Sequence, residues 1–105
     1  MTLPSRWEGI EDRVPDSLDD LHGPAEGTVE LPLHLAWSGL RAYDVSDPRL
    51  RMSMYQAVLA EGRRVDVEQY ICADHLRSDW PRLRKLMGRP LRKAWETHFP
   101  GLAPE

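Results

Sequence analysis

Cys72 and His75 stand three residues apart, close enough on a helix to share one face, and a thiolate and an imidazole are both zinc ligands. A tetrahedral site needs two more donors of that kind. His22, His34 and His98 are the remaining imidazoles, none in paired spacing, and Cys72 is the only thiol, so the sequence does not complete a metal site. Cys72 as a nucleophile lacks an assignable base. Asp66, Glu68, Asp74 and Asp79 raise the chemistry of acid–base catalysis or Mg²⁺ binding. Asp66 and Asp74, however, sit where helices should start and a carboxylate accepts from free N–H groups. Glu68 and Asp79 read as a solvated face. There is no Gly-rich phosphate loop, Ser-His-Asp pattern or dinucleotide fingerprint. The sequence reads as a non-enzyme with no catalytic residues, no metal and no cofactor.

Charge offers a second kind of chemistry. The net charge is −3, yet residues 1–35 carry −6 and residues 36–105 carry +3. An acidic arm and a basic body are implied. The arm supplies one set of candidate residues for a protein partner: Trp7 as an apolar anchor, with Glu8, Glu11, Asp12, Asp16, Asp19 and Asp20 around it. The body supplies another. Residues 77–93 carry +6, and Arg82, Arg84, Lys85, Arg89, Arg92 and Lys93 are candidates for contacting nucleic-acid phosphates. The helix that would have to enter a groove, VEQYICAD, is acidic and offers only Gln69 to base edges, which weighs against sequence-specific DNA binding.

The elements that must position these residues are mostly helical. At 105 residues the chain is one domain with a modest core. Nothing approaches the roughly 20 apolar residues of a membrane span. MTLPSRWEGIEDR has no apolar signal region, so a cytoplasmic protein is expected. Residues 1–30, broken by Pro4, Pro15 and Pro24 and by three glycines, read as an acidic, weakly structured leader. The folded domain should occupy residues 31–101. Val29, Leu31, Leu33, Leu35 and Trp37 alternate, which predicts an extended segment laid across the helices.

Asp47 before Pro48 is a helix start, with Leu50, Met54, Tyr55, Val58 and Leu59 at helical spacing and Gly62 set to close the helix in a left-handed conformation. A second helix is expected from Val67 to Cys72, capped by Asp66. A third begins at Asp74, carries Leu76 and Trp80, and is ended or bent by Pro81. Residues 82–90 form a basic connector. Pro90 opens a last helix with Leu91, Ala94, Trp95 and Phe99 on one face, stopped by Pro100-Gly101. The predicted fold is all-α: about four short helices with an extended N-terminal segment packed across them.

The blocks LPLHLAWSG (31–39), YDVSDPRLRMSMYQAVLAEGRRVDVEQYI (43–71), LRSDWPRL (76–83) and RPLRKAWETHF (89–99) resemble a family of short actinobacterial proteins. These are often encoded beside nucleotidyltransferases of the AbiEii toxin type. The likeness runs from Leu31 to Phe99 and departs at Lys85–Pro90, where KLMGRP replaces a short apolar connector. It implies an antitoxin-like or accessory protein that binds a nucleotidyltransferase partner. A small helix-turn-helix-like DNA-binding regulator is the alternative.

Overall fold

The computed structural model describes residues 10–36 and 40–102, with the side chains of Ile10 and Glu11 left out. Trp7, Glu8 and Trp37 therefore lie outside the described residues, as does the side chain of Glu11. The chain runs through 3-10 turns at Ile10–Arg13 and Leu18–Asp20, then β1 (Thr28–Glu30), α1 (Leu33–Ala36), β2 (Ala42–Asp44), α2 (Pro48–Glu61), α3 (Arg64–Tyr70), α4 (Ala73–Leu86) and α5 (Arg89–His98). A final 3-10 turn covers Pro100–Leu102. The fold is mostly helical but not purely so, because β1 and β2 pair antiparallel, with Val29 opposite Tyr43.

Helix α2 is the centre of the packing. It contacts α1, β2, α3 and α4. The Asp47 carboxylate accepts from the Arg49 amide at 2.9 Å and Pro48 opens the helix, as the sequence predicts. Met54, Tyr55, Val58 and Leu59 are buried, and Leu50 is half-buried. The Tyr55 hydroxyl accepts from the Cys72 amide at 3.0 Å, and burial pushes its phenol up to about 12.

Gly62 ends α2, but with φ −79° and ψ 153°, an extended conformation rather than the predicted left-handed one. The glycine is needed for space. A Cβ there would lie 2.5 Å from the Val58 carbonyl oxygen and 3.1 Å from the Asp66 side chain.

Three other boundaries differ from the expectation. Helix α3 starts at Arg64, not Val67, because Asp66 is its third residue and reaches back to the Arg63 amide at 2.9 Å. Helix α4 continues past Pro81, so residues 82–86 are helical and the connector shrinks to Met87-Gly88. Leu76 and Trp80 before the proline and Leu83 after it are all buried, and that burial outweighs the backbone bond lost at the ring. Within the predicted extended segment over 31–37, residues 33–36 form the one-turn helix α1 and residue 37 lies outside the described residues. Pro32 cannot donate to the β-ladder, and its carbonyl instead accepts from Leu35 and Ala36. Leu31 and Leu35 are buried as expected, while Leu33 is 71% exposed.

The described part of the acidic leader is packed on this body. Val14, Leu21 and Val29 join the core. The His22 amide donates to Glu68 and the Gly23 amide to Ile71, at 2.7 and 2.9 Å. The turn at Ile10–Arg13 lies against α3 and α5. Strand β1, which ends at Glu30, pairs with β2.

Helix α5 follows its prediction, opening at Arg89-Pro90 and burying Leu91 and Trp95. Trp95 lies 6.1 Å from the Trp80 ring and 5.6 Å from Phe99. Among the described residues no helix is long and apolar enough to cross a membrane.

Candidate functional site

The described part of the leader carries four aspartates, most of them open to solvent. Asp12, Asp16 and Asp19 are exposed, and Asp20 is half-buried. Two of them hold the chain in place. Asp16 pairs with Arg64 at 3.1 Å, and Asp20 accepts from the Ser17 amide at 3.3 Å while Ser17 accepts from the Asp19 amide at 3.1 Å. Arg64 is shared with Glu68, and both carboxylates raise its pKa, Asp16 most. The Arg13 guanidinium, on the same segment, donates to the Ala60 carbonyl at 3.0 Å. Trp7, Glu8 and the Glu11 side chain belong to the predicted partner set but lie outside the described residues.

The six basic candidates do not share one site. Arg84, Arg89, Arg92 and Lys93 line a depression of about 470 Å³ between the end of α4 and the polar face of α5, completed by Glu96 and Thr97. Arg82 instead lines a separate, more apolar groove of about 200 Å³ with Pro48, Met52 and Leu86. Lys85 is exposed and lines neither.

Glu96 organises the basic depression. Its Oε2 accepts from the Trp80 indole at 2.9 Å and from Arg84 Nε at 2.6 Å, and Oε1 accepts from Arg84 Nη2 at 3.4 Å. These bonds, Arg84's first, hold the Glu96 carboxyl below the usual range and raise the Arg84 guanidinium. Sequence reasoning missed Glu96 and Thr97. The signal was present: residues 89, 92, 93, 96 and 97 fall at i, i+3, i+4, i+7 and i+8 on the side of α5 away from Leu91 and Trp95.

The other candidate chemistry resolves into structure. His75 Nε2 meets the Ala25 carbonyl at 2.7 Å, and Cys72 is the half-buried residue just before α4. Among the described residues, no three His, Cys, Asp or Glu side chains are grouped to hold a metal ion. Asp66 caps α3, and its Oδ2 also meets His34 Nε2 at 3.1 Å.

Asp79, read from sequence as solvated, is buried. It accepts from Arg51 Nε at 2.7 Å and Nη2 at 3.0 Å, while Arg51 Nη1 donates to the Val45 carbonyl at 2.9 Å. This fork-to-fork pair ties α2 to α4 under the core. Comparison of the chain with protein-family models, with curated proteins and with solved structures finds no match.

Proposed function

We propose that the protein acts by binding rather than by catalysis, as an antitoxin-like or accessory partner of a nucleotidyltransferase-type protein. The observation that carries this reading is how the leader is mounted. Val14 and Leu21 anchor it to the body, while Asp12, Asp16 and Asp19 stay exposed. An acidic edge held this way meets a partner without first losing chain entropy. It matches a basic surface on the partner, such as one that receives nucleotide phosphates, and competes there by charge and by shape. The family resemblance over residues 31–99 points to the same kind of partner.

The test is co-expression with the product of the neighbouring gene, followed by size exclusion and a growth assay. Co-elution with rescue of growth is expected, and Asp12→Asn with Asp19→Asn should weaken both. Neither residue makes a side-chain bond on which the fold depends, and Asp16 is left intact because it pairs with Arg64. Separate elution together with no rescue ends the proposal.

A further inference from the structure

The basic depression is lined by no residue of the leader and calls for a different ligand. Its lining combines four cationic side chains with one carboxylate, a net charge of +3 at pH 7. The carboxylate is already committed, because Glu96 is bonded to Arg84 and Trp80. Arg89 and Lys93 have no ion-pair partner among the described residues, and Arg92 has only the field of Glu96. Uncompensated charge is therefore concentrated at the N-terminal half of α5. Residues 89, 92 and 93 are neighbours across a single helical turn. Gly88 precedes them without a side-chain cap, so the positive end of the helix dipole adds to the same field.

We propose that this depression binds a compact polyphosphate, with Arg89, Arg92 and Lys93 on the phosphate oxygens and the Thr97 hydroxyl as a further donor. The depression is open and shallow, with a volume of about 470 Å³. The grouping of its lining residues is what selects the ligand. A nucleic-acid backbone spreads its charges along a line and would recruit Arg82 and Lys85 as well, and neither lines the depression. A short chain of phosphates places several negative charges against the three cations that line the depression. Arg84 is held by Glu96 as one wall, its position set before any ligand arrives. The lining offers no aromatic ring on which a base could stack, so recognition rests on the phosphates.

Isothermal titration of the full chain at low salt with inorganic tripolyphosphate, a nucleoside triphosphate and duplex DNA tests this. Two double variants remove the same charge: Arg89→Gln with Lys93→Gln inside the depression, and Arg82→Gln with Lys85→Gln outside it. All four side chains are exposed, so both proteins should fold, and circular dichroism checks that they do. Saturable binding of tripolyphosphate to one site is expected. It should weaken about tenfold or more in the first variant, the equivalent of one lost charge-assisted hydrogen bond, and stay near wild type in the second. Equal binding of the nucleoside triphosphate supports recognition of the phosphates alone, and tighter binding adds sugar contacts to them. No binding of tripolyphosphate, equal losses in both variants, or tighter binding of duplex DNA per phosphate would overturn the proposal.

Discussion

Asp79 stands one residue before Trp80 and shares its burial, with 5% of its side chain exposed against 8% for Arg51. Burying two charges is costly, and only the paired bonds and the Val45 carbonyl offset it. Asp79→Ala should therefore destabilise the protein by about 3–5 kcal/mol, because it leaves an arginine buried and unpaired. Arg51→Met combined with Asp79→Leu should recover most of that loss, and denaturant unfolding of the three proteins measures it. Equal stability of Asp79→Ala and wild type would mean that water reaches the pair.

Glu96 gives a pH dependence of known sign. Its folded pKa is held below the ordinary 4.5 by Arg84 and Trp80. The stabilisation is thus complete above about 4.5, the unfolded value, and is lost as pH falls through the folded one. Wild type should melt higher than Glu96→Gln near neutrality, with the gap closing in acid. A gap constant across that window would remove the Arg84 contact as a source of stability.

At the scale of elements, the two longest helices carry the clearest lesson. The start of α2 and its buried stripe were legible, because Asp47-Pro48 and the 54, 55, 58, 59 spacing are local signals. Arg51 falls in that same stripe, three and four residues before Met54 and Tyr55, and Asp79 lies in the stripe of Leu76, Trp80 and Leu83. A charged residue in register with a core face signals a buried pair. Pairing the two across 28 residues needs the packing of α2 on α4. Pro81 shows the converse. Local backbone chemistry predicts a stop or a bend there, and the helix does not stop, because residues on both sides of the ring are buried. Helix α5 was legible throughout, being strongly amphipathic with a proline at its start. Its core role is open to test. Trp95→Ala should cost about 3–5 kcal/mol, read from the melting transition and the denaturant midpoint, since Trp95 is 1% exposed between Trp80 and Phe99. Unchanged melting would place α5 outside the core.

For the molecule as a whole, the leader is where composition misled. Its prolines, glycines and acids suggest a chain too polar to fold, and taken alone it buries little. Its order comes from backbone bonds and a few apolar residues received by α3, which no local pattern displays. Gly23 is the tightest point of that contact. A Cβ there would stand 2.4 Å from the carbonyl carbon and oxygen of Tyr70 and 2.5 Å from the carbonyl carbon of Ile71. Backbone on both sides cannot yield easily, so Gly23→Ala should destabilise by about 1–3 kcal/mol. Amide hydrogen exchange around Leu21–Gly23 should quicken more than in α2. Wild-type exchange in that variant would mean that the leader is loosely held. The split of the basic residues between two depressions was equally hidden, because charge counts along a sequence ignore which face of a helix each side chain occupies.

The seat of the leader also imposes an order on the making of the protein. Residues 10–23 emerge from the ribosome early, yet they rest on α3 and α5, with the Asp16 carbonyl meeting His98 Nε2 at 3.4 Å. At about 5–20 residues per second, the interval between synthesis of the leader and synthesis of its seat is on the order of ten seconds. Through that interval Val14 and Leu21 have nothing to pack against, and the acidic edge is attached to no body. Were a partner to recognise the mounted edge, a copy truncated before α5 would offer it without its seat.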